Sequence, residues 1–180
     1  MYENFKYLDA VAQKEITNGV FSGSVLSVIH KGEIVYLKSF GLADKEKNIP
    51  MKTDSIFRLF SMSKPVTAAA AMILIERGLF DTRHLLKWFI PEFSDPVVLD
   101  ENGERPADRD ITIGDLLTMT SGIPYPDGTP AGQKMGALWG EQSEKYLKGE
   151  KLLDTVSFAK EMGKRPLMFS PGEKWMYGAS

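Results

Sequence analysis

The sequence predicts an α+β fold: a helix and a β-hairpin first, then a mainly helical region. Three observations predict it. Phe5, Leu8, Val11, Ala12 and Ile16 recur at helical spacing, and Gly19 follows as a stop. Ser24–Ile29 and Glu33–Phe40 are runs rich in Val, Ile and Tyr, joined through the tight-turn pair Lys31-Gly32. An alanine-rich apolar run begins at Pro65, and the strand signals fade after Gly78.

The remaining elements follow from local chemistry. Gly41 to Pro50 reads as a polar connection. A helix is expected from about Ser61 to Arg77, with Gly78 as its C-cap and Pro65 near the first turn, where a missing N–H costs little. Short helical pieces are expected at Leu85–Phe89 and Ile113–Thr118. The second is entered through Thr112 with Asp115 three residues on, a capping-box pattern. Asp100–Asp110 and Tyr125–Gly132 read as loops, and Ala137–Lys148 and Leu153–Met162 as helices. Ser170-Pro171-Gly172-Glu173 is a turn signal. Met62, Met72, Leu74 and Ile75 are expected in the core. The organisation is one incomplete domain, with residues 1–60 supplying the helix and hairpin and 61–180 the helical region.

Composition narrows the function classes. The chain has 180 residues, 43% of them hydrophobic, enough for one globular unit with a core. A net charge of -2 and no basic stripe argue against nucleic acid. With no cysteine there is no disulfide, thiolate metal site or cysteine nucleophile. The two histidines, His30 and His84, are too few for a histidine-rich metal site, so neither a metal nor a cofactor is expected. Neither histidine belongs to a Gly-x-Ser-x-Gly elbow, which disfavours a Ser-His-Asp hydrolase. Residues 1–5 lack a basic segment followed by an apolar one, and no apolar run reaches membrane-spanning length. A cytoplasmic location without membrane contact is expected.

The chemistry concentrates at Ser61-Met62-Ser63-Lys64. On a helix, residues three apart share a face, so this spacing offers a nucleophile and an activator in one turn. A serine hydroxyl is weak until a base takes its proton. Lysine is a poor base at its free pKa of ~10.4, but desolvation disfavours the charged form. Ser63 points to another face and reads as capping or packing.

The text around these residues resembles a family. Residues 50–78, PMKTDSIFRLFSMSKPVTAAAAMILIERG, look like the active-serine segment of the class C β-lactamase-like serine hydrolases, which include penicillin-binding proteins, β-lactamases and esterases. The match continues in order through Ile90-Pro91-Glu92-Phe93, Ile111 to Gly122, and Pro171-Gly172-Glu173-Lys174-Trp175-Met176-Tyr177. The Lys64-Pro65-Val66-Thr67 variant looks most like the esterase branch. The resemblance implies that Ser61 is the nucleophile, Lys64 its base and Tyr177 the tyrosine of the Tyr-x-Asn motif. Alanine stands at 179 in place of that motif's asparagine, and Met119 stands where histidine is frequent. The family's Lys-Thr-Gly-like or His-x-Gly-like triplet, on a late strand, has no counterpart between Tyr177 and Ser180.

The expected fold is therefore β-lactamase/penicillin-binding-protein-like, with the later sheet strands missing from these residues. The expected activity is hydrolysis, through an acyl-enzyme, of carboxylic esters or of β-lactam or D-alanyl amides. The alternative is a truncated, non-catalytic penicillin-recognising module. In either case a C-terminal segment, a second chain or a swapped copy is expected to complete the sheet, because a lone hairpin is marginal in water.

Overall fold

The computed structural model describes residues 5–180, which form two compact units, divided between residues 61 and 62. In the first unit, helix α1 (Lys6–Thr17) precedes strands β1 (Gly23–His30), β2 (Glu33–Asp44) and β3 (Ile49–Pro50). The strands form an antiparallel sheet in the order β1-β2-β3. The hairpin closes from His30↔Glu33 through Lys31 and Gly32, both at positive φ (50° and 82°). That is the handedness a two-residue hairpin turn requires. Contrary to the polar connection expected after Gly41, β2 runs on to Asp44 and the chain returns as β3. Gly41, at φ 69°, has no space for a Cβ beside the Ser22 carbonyl, so the glycine serves the strand rather than ending it.

The hydrophobic centre of this unit is small. Ala12 of α1 and Tyr36 of β2 are its buried apolar residues. The Tyr36 hydroxyl donates to Asp9 Oδ1, and Lys38 pairs with Asp9 Oδ2 at 2.6 Å. Burial, together with the neighbouring carboxylate, pushes the Tyr36 phenol up to about 12. Among the described residues β1 has β2 as its strand partner and leaves its outer edge open.

The second unit opens with helix α2 (Ser63–Glu76), capped at its end by Arg77 N–H bonding to the Ile73 carbonyl and followed by Gly78 at φ 70°. Two 3-10 turns, Leu86–Trp88 and Pro91–Phe93, precede a hairpin of β4 (Val97–Asp100) and β5 (Gly103–Pro106). This hairpin occupies part of the charged stretch read as a loop. Its strands are only four residues long, and its polar tip hides the pattern. The core beneath it comprises Leu86, Phe93, Val98, Ile111, Ile123, Met135, Leu138 and Leu167.

Three helices complete the unit. Helix α3 (Ile113–Leu117) carries the expected capping box: Thr112 Oγ1 accepts from Asp115 N–H, and Asp115 accepts from Thr112 N–H. Helix α4 (Pro130–Leu147) starts seven residues before its expected start. Thr129 caps it and Pro130 occupies the first turn, where proline favours a helix. Helix α5 (Thr155–Gly163) is capped by Asp154. No helix among the described residues is long and apolar enough to cross a membrane.

Helix α2 departs from expectation in its burial. It is apolar nearly all round, yet none of its residues is buried. Met72 and Leu74 are exposed and Ile75 is half-buried, and Met62, just before the helix, is 70% exposed. These residues were expected in the core. A helix of this composition belongs inside a large core, and the described residues do not supply enough cover for it.

Candidate active site

Ser61 lies in a 3-10 turn, Phe60–Met62, that leads directly into α2. It is exposed, and no hydrogen bond of its hydroxyl is found among the described residues. The residue before it, Phe60, has φ 47°, a left-handed conformation that a bulky side chain rarely adopts. Such strain gathers at sites where geometry serves function. Ser63 is the first residue of α2, and its carbonyl accepts from Thr67 Oγ1. The N-cap of α2 is Met62, no side chain caps the helix, and Ser63 is exposed, so the capping or packing role read for it is not what it does here.

Lys64 stands in the first turn of α2 and is half-buried. Its Nζ donates to the Tyr125 hydroxyl at 3.0 Å. The same amine lies 5.4 Å from the Tyr125 ring centre and 5.2 Å from that of Tyr177. The two rings are 6.1 Å apart and tilted by 48°. The amine thus lies over two aromatic rings, an arrangement that attracts its charged form beyond the hydrogen bond. Of the residues singled out from sequence, the structure brings Lys64 and Tyr177 together.

Tyr125 was missed, because it fell in a stretch read only as a loop. The available signal was its position three residues after Gly122, the end of the Ile111–Gly122 block already singled out. An aromatic hydroxyl in that place adds a second phenol to the lysine.

Backbone bonds between two segments bring the two tyrosines together. The Met176 N–H donates to the Met119 carbonyl at 3.0 Å, Gly172 N–H to Thr120 O at 2.8 Å, and Met168 N–H to Gly122 O at 2.9 Å. Ser121, fully buried, hydrogen-bonds through its hydroxyl to that of Ser180 at 2.6 Å. Met119 takes φ 59°, so this position, where histidine is frequent in the family, is a backbone turn whose carbonyl holds the Tyr177 segment.

Two glycines allow this approach. Gly122 has φ 81°, and a Cβ there would come 2.3 Å from the Phe169 carbonyl oxygen. At Gly178 a Cβ would sit 2.4 Å from the Ile123 carbonyl oxygen. Gly178→Ala is therefore expected to push the Tyr177 segment off its partner, at a cost of about 1–3 kcal/mol. Thermal melts check this against Gly140→Ala, where a Cβ meets nothing within 4 Å and a helical glycine is replaced by a better helix former. The melting temperature should fall in the first variant and hold or rise in the second.

One buried carboxylate fixes the loop leading to Tyr125. Asp115 receives both Arg109 guanidinium nitrogens, at 2.7 and 2.8 Å, as well as Thr112 N–H and hydroxyl and the Thr120 hydroxyl. Burial raises its pKa, but the Arg109 and Thr112 hydrogen bonds outweigh burial and hold the carboxyl down at about 2. His84 is built into the fold of the second unit, its Nδ1 accepting from Asp81 N–H and its ring 5.3 Å from that of Trp88. No group of three or more His, Asp or Glu suited to a metal ion occurs among the described residues.

Comparison with known proteins places this arrangement. The model of the Beta-lactamase family matches residues 8–180, and the chain belongs to that family. It is 34% identical over 173 residues to the esterase EstB of Burkholderia gladioli, covering 94% of this chain and 41% of the esterase. It is 32% identical over 160 residues to penicillin-binding protein 4* of Bacillus subtilis, covering 87% of this chain and 29% of that protein. Among solved structures it superposes on EstCE1, described as a hydrolase with promiscuous acyltransferase activity, with a TM-score of 0.74 and 27% identity, over 96% of this chain and 43% of that one. The α+β architecture is thus part of the β-lactamase/penicillin-binding-protein fold. The chain spans less than half the length of these relatives.

Proposed function

We propose that this chain is the nucleophile-bearing part of a serine acyl-transfer enzyme that acts on carboxylic esters. The observation that carries the reading is the placement of Lys64 between the Tyr125 and Tyr177 phenols, three residues after Ser61. Ser61 Oγ attacks the ester carbonyl and passes its proton to the Lys64 amine. Tyr177 relays that proton to the departing alkoxide, which leaves as the alcohol. Water, activated by the same groups, then cleaves the acyl-serine and releases the carboxylic acid. Proton transfer of this kind contributes ~10²–10⁴-fold to rate.

The tetrahedral oxyanion needs paired N–H donors. The Ser61 N–H is one, and the family resemblance assigns the second to a late strand. The names of the relatives favour esters over β-lactams or peptides: an esterase and a hydrolase with acyltransferase activity stand beside the penicillin-binding protein.

The second reading is a module that depends on a further segment or chain. The unburied apolar surface of α2 favours it. A C-terminal segment, a second chain or a swapped copy that covers α2 and extends the open β1 edge would supply both the missing core and the second oxyanion donor.

The test is covalent labelling. Incubation with a fluorophosphonate, followed by peptide mass spectrometry, should place the adduct on Ser61, and Ser61→Ala should abolish it. An adduct on another residue, or labelling that survives the substitution, would refute Ser61 as nucleophile. An intact protein that takes no label under conditions that label a family esterase favours the dependent module.

A further inference from the structure

An apolar concavity of the second unit lies away from Lys64, between α4, the turn that follows it and α5. It encloses ≈ 530 Å³ and is lined by Trp139, Gln142, Leu147, Leu152, Leu153 and Phe158, among others. That is the size of a pocket for a drug-sized ligand.

Its wall is continuous with the lysine cluster. The Trp139 ring stands edge-on to Tyr125 at 6.2 Å and edge-on to Phe158 at 5.7 Å. Trp139 therefore separates the phenol that bonds Lys64 from the phenylalanine that lines the cavity. No charged side chain lines it. The nearby lysines of α4 are paired along the helix, Lys145 with Glu141 and Lys148 with Glu144.

Two of the polar side-chain groups in the wall are committed within the fold, and the Tyr146 hydroxyl belongs to an exposed residue. The Ser143 hydroxyl donates to the Trp139 carbonyl. Gln142 Oε1 accepts from Leu153 N–H at 3.0 Å, which fixes the amide's orientation. Gln142 Nε2 is buried and has no partner among the described residues. An unsatisfied buried donor is costly and uncommon.

We propose that this cavity binds the uncharged, apolar portion of the ester, an aliphatic or alicyclic group carrying at most an acceptor oxygen, beyond the reacting carbonyl. The proposal takes its substrate class from the acyl-transfer reading above. Uncharged lining disfavours the carboxylate of a D-alanyl peptide there, since burying an unpaired charge is costly.

The test reads binding without turnover, on the full chain carrying Ser61→Ala so that the ester competitors are not cleaved. The neutral dye N-phenyl-1-naphthylamine is titrated into the protein, and methyl octanoate and methyl acetate compete for it. Expected are saturable one-to-one binding and displacement by the octanoate at concentrations at least ~10-fold lower than by the acetate. Leu152→Glu, at the partly exposed rim, should weaken dye binding at least ~10-fold. Leu147→Glu, at a residue 83% exposed, should weaken it in the same direction and keeps the fold out of the question. Val66→Glu, on the exposed apolar surface of α2, should leave it within about twofold.

No saturable binding, or equal displacement by the two esters, overturns the proposal. So does loss of binding in Val66→Glu with retention in both rim variants, which would put the dye on α2. Failure of Ser61 to label leaves these readouts intact, so the two readings fail separately.

Discussion

Lys64→Arg is expected to lower kcat/KM for a p-nitrophenyl ester by ~10²–10⁴-fold while leaving the fold intact. The substitution separates two roles of the lysine. A cation between the Tyr125 and Tyr177 rings is stabilised by both π-faces and by the 3.0 Å hydrogen bond to the Tyr125 hydroxyl. Arginine keeps the charge, donates hydrogen bonds and stacks well on aromatic rings. It does not give up its proton at ordinary pH and so cannot receive one from Ser61.

If Lys64 served only as a structural cation, the arginine variant would work and Lys64→Met would fail. If it is the base, both fail. Initial rates with acetate and butyrate esters, beside circular dichroism melts of each variant, decide between these. An arginine variant that folds and retains more than about a tenth of the rate would remove Lys64 from the proton path. The comparison is made on whichever assembly is active, with any completing segment present.

The parts legible in the sequence were those specified by neighbours along the chain. Helix α1 shows its apolar period, and the β1–β2 turn shows Lys31-Gly32. Helix α3 shows both halves of its capping box, Thr112 and Asp115. The start of α4 was missed because Pro130, preceded by Gly128 and Thr129, looks like loop material. The proline is in fact the first residue of the helix. The β4–β5 hairpin was missed because each strand has four residues and β5, Gly-Glu-Arg-Pro, is exposed throughout. Pattern reading needs a buried face, and that strand has none.

The candidate site divides along the same line. Ser61 and Lys64 are three residues apart and share one motif. Tyr125 is 61 residues from Lys64. Its approach depends on backbone bonds between the 119–123 and 168–179 segments, which no local pattern encodes. The burial expected for Met72, Leu74 and Ile75 was inferred from composition alone. Composition specifies that such a helix needs cover, but not which residues provide it.

Asp115→Ala is expected to lower the melting temperature by about 5–10 °C at neutral pH, from a loss of about 2–3 kcal/mol. The carboxylate is 6% exposed and accepts five hydrogen bonds from Arg109, Thr112 and Thr120. Its removal strands the Thr112 N–H and leaves the Arg109 guanidinium without a counter-ion. Arg109 is partly exposed, which keeps the cost at or below the lower end of the range for buried pairs.

The pH dependence follows from the sign of the shift. The folded carboxyl is held at about 2, below its ordinary 3.8, because the Arg109 and Thr112 hydrogen bonds overcome the opposing effect of burial. The unfolded chain therefore binds this proton first as pH falls. The stabilisation, about 2 kcal/mol, is complete above the unfolded pKa and is lost as pH falls through 3.8 towards 2. Denaturant melts from pH 7 to pH 2 should show a smaller loss of stability across that window in Asp115→Asn than in the unmodified protein. Parallel curves for the two proteins would mean that the Arg109–Asp115 pair is not what holds the loop before Tyr125. Because that loop carries the phenol that bonds Lys64, a variant destabilised in this way should also lose esterase rate at temperatures well below its own melt.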